Sequence, residues 1–273
     1  MQQSIVRQKM ARGEPVLVIK SNFKEPAICE MMGLMGFDCI WICHEHLAID
    51  PSRMDSLIRA CRAAGIDAMV RTKPGDYRDI LHLLEMGAKG IMLPRVQTPA
   101  EVRQVVQDMK FCPLGRRGVD GVNAEADFGL LPLTDYLQQA NENNFLVVQI
   151  EDPEVVEHIE EIAAIDGVDC LFIGPGDLSV NLGIPGQVEA PAIMEISRRV
   201  IKACEKHGKV PGSACGGNRE KLQRYLDMGF RFLAGGGDYG MVRDGCRQLR
   251  ETALDCGFKM RPWHPDTDNH FYQ

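Results

Sequence analysis

The sequence predicts a (β/α)₈ TIM barrel. Three observations carry that prediction. Eight short apolar runs alternate with longer amphipathic stretches, the runs lack the polar alternation of a half-solvated sheet, and a dinucleotide-binding glycine fingerprint is missing. Nearly all-apolar strands need cover on both faces, which a ring of helices supplies. A doubly wound open sheet is the rival. Gly235-Gly236-Gly237, which follows the last predicted strand, does not have its Gly-x-Gly-x-x-Gly spacing.

In chain order the strands are read at Val16 to Lys20, Cys39 to Cys43, Ala68 to Arg71, Gly90 to Pro94, Phe145 to Glu151, Cys170 to Gly174, Val210 to Ser213 and Phe230 to Ala234. Between them the apolar residues recur at helical period. Asp50-Pro51-Ser52 opens one helix with a cap and an early proline, and Thr98-Pro99-Ala100-Glu101 opens another as a capping box. Gly65, Gly87, Gly208 and Gly229 close helices just before the next strand. The irregular segment from Phe111 to Leu131 is expected to lie over the active-site face. No Pro/Ser-rich linker divides the chain, so residues 1–260 are read as one barrel domain. Residues 261–273 are read as a polar, aromatic tail in which His264 and His270 suggest a metal site or a subunit contact.

Composition narrows the function. The 273 residues are 45% hydrophobic and 25% charged, as in a globular protein with a sizeable core, and the net charge is −7. No Lys/Arg stripe appears, which argues against nucleic acid and anionic membrane as partners. No run approaches the roughly 20 apolar residues of a membrane span, and residues 1–15 do not resemble a signal peptide. A cytoplasmic location is the expectation. Ten cysteines without a Cys-x-x-Cys pair are read as reduced, mostly buried thiols.

In a (β/α)₈ enzyme the chemistry sits at the C-terminal ends of strands. Those ends here carry Cys43-His44-Glu45-His46, Arg71, Pro94-Arg95, Gln149-Ile150-Glu151-Asp152 and Gly174-Pro175-Gly176-Asp177. Glu151 and Asp177 fall on adjacent strands. Two neighbouring carboxylates repel unless a cation lies between them or one takes a proton. Oxygen ligands suit Mg²⁺ or Mn²⁺, with Co²⁺ a further option. The competing reading is that either acid only caps the following helix. Asp152, just before Pro153, is the better cap, which leaves Glu151 to point inward. Cys43 with His46 as a nucleophile pair, Cys43, His44 and His46 as a zinc site, and Lys20 or Lys73 as Schiff-base lysines are weaker alternatives.

The blocks Phe37 to His46, Gly87-Ala88-Lys89-Gly90, Arg117-Gly118-Val119, Gln149-Ile150-Glu151, and above all Gly167-Val168-Asp169 through Gly174-Pro175-Gly176-Asp177-Leu178-Ser179 resemble the class II pyruvate aldolases. That is the HpcH/HpaI aldolase/citrate lyase family, which includes 4-hydroxy-2-oxoheptanedioate aldolase and aldolases of 2-keto-3-deoxy sugar acids. The resemblance runs from about residue 14 to 254 and implies a barrel of the phosphoenolpyruvate/pyruvate type. It implies Glu151 and Asp177 as metal ligands, with Glu45 just outside them, and His46 as base. It also implies Arg71 as the cation at the keto oxygen, with Gln149 and the amides of Gly176 and Asp177 binding substrate. The activity implied is cleavage of a 4-hydroxy-2-keto acid to pyruvate and an aldehyde. Histidine, whose ordinary pKa of about 6.5 lies near neutrality, suits the proton shuttle. The resemblance further implies a homo-oligomer, trimer or hexamer, packed through the last helix.

Two departures qualify it. Cys43 stands where the family has an Asp that orients the histidine, and His44 stands where it has Gly. Ala124 or Glu125 stands where relatives carry an Arg, so a substrate with an anionic far end is not expected. These departures keep two other readings open: decarboxylation or acyl-CoA lysis on the same platform, and a barrel that binds metal or keto acid without turnover.

Overall fold

The computed structural model describes residues 1–73 and 75–262 and closes eight parallel strands into a barrel in the order β1 to β8. They are β1 (Val16–Ser21), β2 (Cys39–Cys43), β3 (Asp67–Arg71), β4 (Gly90–Leu93), β5 (Phe145–Ile150), β6 (Cys170–Ile173), β7 (Val210–Ala214) and β8 (Phe232–Gly237). Around them lie α1 (Ile5–Ala11), α2 (Pro26–Leu34), α3 (Pro51–Ala63), α4 (Tyr77–Glu85), α5 (Pro99–Met109) and α6 (Leu133–Asn143). The series continues with α7 (Pro153–Val156), α8 (Ile159–Ala163), α9 (Pro175–Asn181), α10 (Pro191–His207), α11 (Arg219–Met228) and α12 (Asp238–Asp255). The barrel predicted from the sequence is borne out.

β8 differs from the reading. It begins two residues later and runs through the glycines expected to follow it. Their missing side chains explain this: Gly237 pairs with Lys20 after a register shift, and a Cβ there would come within 2.7 Å of the Lys20 carbonyl.

Side-chain alternation sorts the strands into two cores. Val16, Val18, Cys39, Trp41, Met69, Met92, Phe145, Val147, Cys170 and Phe172 fill the barrel interior, while Ile19, Ile40, Ile42, Val70, Ile91, Leu146, Val148 and Ile150 pack outward against the helices. Edge-to-face contacts of Phe172 with Trp41 (5.9 Å) and with Phe232 (6.2 Å) make the interior a solid floor. Gly90 leaves room for it, since a Cβ there would strike the Phe145 ring at 2.3 Å. Extending the same parity places Lys20, Cys43, Arg71, Gln149 and Glu151 inward, above that floor.

The predicted caps form. Asp50 accepts from the Ser52 and Arg53 amides, Thr98 and Glu101 make the capping box, and Gly208 and Gly229 end helices with positive φ. All ten cysteines are free, and seven are buried.

The segment 111–131 does not cover the active-site face. It packs across the opposite, N-terminal end of the barrel, because α5 has already carried the chain back there. Ala124 N–H donates to the Glu85 carbonyl at 3.1 Å at the end of α4, and Glu125 bonds to Asn144, the residue before β5. The inference drawn from Ala124 and Glu125 against an anionic substrate therefore lapses within this chain. At the same end α1 inserts Val6 into the interior core. Among the described residues, no helix is long and apolar enough to cross a membrane. His264 and His270 lie outside the described residues.

Candidate active site

Glu151 follows β5 and is 1% exposed. Its Oε1 accepts the Arg95 backbone N–H at 2.6 Å, while Oε2 has no partner. Arg95 holds φ at +55°, an uncommon conformation for a residue with a side chain, and that turn aims its amide at the carboxylate. Gly174 lies beneath the other oxygen, where a Cβ would come within 2.7 Å of Oε2. Burial, and then the charge of Asp177, lift the Glu151 carboxyl to about 7.

Asp177 sits in the first turn of α9, and two side chains fix that short helix. Ser179 Oγ donates to the Gly176 carbonyl at 2.6 Å. Asn181 Nδ2 donates to the Glu151 carbonyl at 2.9 Å and to Asp152 Oδ1 at 2.6 Å. The Gly-Pro-x-Asp-Leu-Ser block is thus a brace that holds one acid beside another. Asp152 occupies the N-cap position of α7, but its side chain caps nothing there and is engaged by Asn181 instead.

Arg71, 3% exposed at the end of β3, is held from several sides. Nη1 donates to Gln149 Oε1 at 3.3 Å and Nη2 to Cys43 Sγ at 2.9 Å. Its guanidinium lies 4.8 Å from the Trp41 ring centre. Nε lies 3.0 Å from Glu45 Oε2 as a charge contact, since neither atom is aligned for a hydrogen bond. Glu45 Oε2 is also 3.7 Å from His46 Nε2, so it bridges the arginine and the half-exposed histidine. Cys43 Sγ accepts the His46 backbone N–H at 3.4 Å. The carboxylate beside the His46 ring is thus that of Glu45 rather than one at the strand-end position. His44 turns away, with Nδ1 3.8 Å from Asp79.

Of these groups, His46, Arg71, Gln149, Gly176 and Asp177 line a cavity of about 630 Å³ at the C-terminal end of the barrel. The size suits a small-molecule site. Lys20 and Trp41 also line it. Lys20 Nζ lies 5.2 Å from the Trp41 ring centre, and burial pushes its ammonium below the usual range. Strand parity marks both Lys20 and Trp41 as inward, which places Lys20 in the cavity wall without a Schiff-base role and adds Trp41 to the site. Gly174 and the Arg95 amide were also missed. Lys73 is exposed beyond β3.

Glu151 and Asp177 fit a divalent cation. One buried carboxylate oxygen is unpartnered, a second carboxylate lies close enough to raise its proton affinity, and the donors are all oxygen. Among the described residues no group of three or more His, Cys, Asp or Glu is placed to hold a metal ion.

Fold and site define a barrel enzyme with paired strand-end carboxylates beside a fixed arginine. The chain belongs to the HpcH/HpaI aldolase/citrate lyase family, whose model matches residues 19–245. It is 35% identical over 238 residues to the hydroxypyruvate/pyruvate aldolase of Delftia acidovorans, covering 86% of each chain. It is 32% identical over 232 residues to the 5-keto-4-deoxy-D-glucarate aldolase of Shigella boydii, covering 85% of this chain and 89% of that one. The crystal structure of an HpcH/HpaI aldolase from Desulfitobacterium hafniense superposes with a TM-score of 0.87 at 29% identity, over 96% of this chain and 100% of that one. The expectation of a carbon–carbon lyase of the aldolase type is borne out, and aldolases of this class depend on a divalent cation in general.

Proposed function

We propose that this chain cleaves a 4-hydroxy-2-keto acid reversibly to pyruvate and an aldehyde, with Glu151 and Asp177 holding Mg²⁺ or Mn²⁺. The observation that carries the proposal is the unpartnered, buried oxygen of Glu151, close enough to feel the charge of Asp177, which lines a cavity together with Arg71. A bound divalent cation would supply Lewis acidity to the carbonyl of a chelating 2-keto acid.

The remaining work falls to the protein. Arg71 presents fixed positive charge where the keto oxygen becomes an enolate oxygen. Its contacts with Cys43, Gln149 and Glu45 are already made, so it does not reorganise as that charge develops. Gln149 is 2% exposed and holds the guanidinium through its Oε1. His46 borders the cavity from the loop after β2. It takes the proton from the C4 hydroxyl during cleavage and returns one to the methylene carbon of the enolate, while Glu45 steadies its ring. The backbone amides of Gly176 and Asp177 receive the substrate carboxylate. Trp41 and Phe172 close the floor and keep water from the enolate face.

The assembly belongs to the same proposal. α12 has 18 residues, and of these only Asp238 is buried; Tyr239, Met241, Val242, Leu249 and Leu254 leave apolar surface exposed along it. Such a face supports a homo-oligomer, trimer or hexamer, joined through this helix.

The test is exchange of the pyruvate methyl protons in deuterated buffer, before and after chelation and on readdition of Mg²⁺ or Mn²⁺. It needs no knowledge of the aldehyde. Metal-dependent exchange is the expected result. A folded protein that gives no exchange with any metal sinks the proposal.

A further inference from the structure

We infer that Asp238 is a positioning residue for the aldehyde half of the substrate: it clamps the loop after β1 to the start of α12 and so fixes Asn22 in the cavity wall. The inference rests on the aldolase reading and adds to it a group that meets the second substrate.

The pyruvate half of the substrate is assigned to groups from one side of the barrel mouth: Arg71 from β3, Gln149 and Glu151 from β5, and Asp177 after β6. The cavity extends past them over the ends of β8 and β1, where Asn22, Gly236, Gly237 and Tyr239 line it. At about 630 Å³ it exceeds what a three-carbon keto acid needs, so an aldehyde joined to the enolate lies toward this second wall. Asn22 brings to that wall a carboxamide, which can both donate and accept.

One carboxylate sets the path of the chain that carries it. Asp238 opens α12 and is 1% exposed. Its Oδ1 accepts the Asn22 N–H at 2.8 Å and the Tyr239 N–H at 2.7 Å. Its Oδ2 accepts the Phe23 N–H at 3.0 Å and the Ser21 hydroxyl at 3.3 Å. All four donors are uncharged, and three are backbone amides. The carboxylate therefore fixes main chain rather than answering a cation. Lys24 follows at φ +55°, a conformation that persists where the surrounding structure imposes it. The Asn22 carboxamide is laid over Gly237, where a Cβ would come within 3.3 Å of Oδ1. The rings of Phe23 and Tyr239, with centres 5.9 Å apart, close the clamp on its exposed side.

The donor set makes the clamp testable. Asp238→Asn keeps the shape, but it offers one acceptor oxygen, and its NH₂ group would face a backbone N–H that can only donate. One loop amide must then be released. Ser21→Ala removes a donor and leaves all three amides bound.

The experiment measures condensation of pyruvate with glycolaldehyde by the Mn²⁺-loaded enzyme, beside exchange of the pyruvate methyl protons. Asp238→Asn should raise KM for glycolaldehyde about tenfold while exchange and KM for pyruvate stay within about twofold. Asn22→Ala, which leaves the clamp intact, should raise the same KM about fivefold. Ser21→Ala should change it by less than about twofold. An unchanged KM in Asn22→Ala overturns the inference. So does an Asp238→Asn enzyme in which exchange and condensation fall in equal proportion, as a general loss of structure would produce. A wild type that exchanges pyruvate protons but forms no glycolaldehyde adduct also overturns it, because the wall then receives no aldehyde. Loss of metal-dependent exchange in the wild type would instead strike the aldolase reading itself.

Discussion

Glu125 and Glu151 are equally buried glutamates at opposite ends of the same barrel, and their surroundings differ. At the N-terminal end, Glu125 has both oxygens occupied. Oε1 accepts from Arg117 at 3.2 Å and from Asn144 at 2.7 Å, while Oε2 accepts from Arg117 at 2.6 Å and from Tyr136 at 2.8 Å. At the C-terminal end, Glu151 has one oxygen on the Arg95 amide and the other on nothing. A saturated buried carboxylate holds structure together. A half-saturated one carries a desolvation cost that a proton or a cation can relieve. The difference separates the end of the barrel that stabilises from the end that reacts.

The largest effects should come from neutralising the reactive pair. Glu151→Gln and Asp177→Asn are each expected to slow metal-dependent pyruvate exchange by about 10³-fold, equivalent to about 4 kcal/mol. In chelator the same variants should stay within about 1 kcal/mol of wild-type stability or exceed it, because each removes a repelling charge. Denaturant titrations beside the exchange assay check both halves. A large stability loss with exchange retained would reverse the assignment of the two ends.

The saturated end should respond the other way. Arg117→Met leaves the Glu125 charge buried and unpaired, which typically costs about 3–5 kcal/mol. Urea unfolding should show that loss. Exchange per folded molecule should match the wild type, since Arg117 stands at the far end of the barrel from the cavity. An exchange defect larger than the folded fraction explains would mean that the two ends are coupled.

Much of this division was legible in the sequence. The strands, their polar C-terminal ends and the Gly-Pro-x-Asp-Leu-Ser block are local patterns, and they located Arg71, Gln149, Glu151 and Asp177. Strand parity would also have given Lys20 and Trp41, because Val16, Val18 and Lys20 share one face of β1, as do Cys39, Trp41 and Cys43 of β2. The placement of residues 111–131 was missed although its signal was present. The segment follows a helix rather than a strand, so it emerges at the N-terminal end. Nothing local announced the Arg95 amide, whose role depends on a positive φ. Glu45 as the bridge between Arg71 and His46 was equally hidden, since it arises from contact between β2 and β3.

The contrast can be sharpened by pH in metal-free protein. Glu151 is lifted to about 7 from an ordinary value of 4.5, chiefly by burial. Between those values the folded state holds a proton that the unfolded chain has released. Its contribution to stability is therefore complete below about pH 4.5, declines as pH rises, and is gone above about 7, a total of about 3 kcal/mol. Glu151→Gln keeps a neutral group at every pH and lacks this slope. The comparison to make is wild type against Glu151→Gln by urea unfolding in chelator, at about pH 5 and about pH 8. The two should be close at the lower pH, and the variant should gain about 3 kcal/mol on the wild type at the higher. Saturating Mn²⁺ should then stabilise the wild type more than the variant, because the variant keeps only Asp177 as a charged ligand. A stability difference that does not change with pH would show that the second oxygen of Glu151 is already served by solvent, and the asymmetry between the two ends would lose its energetic basis.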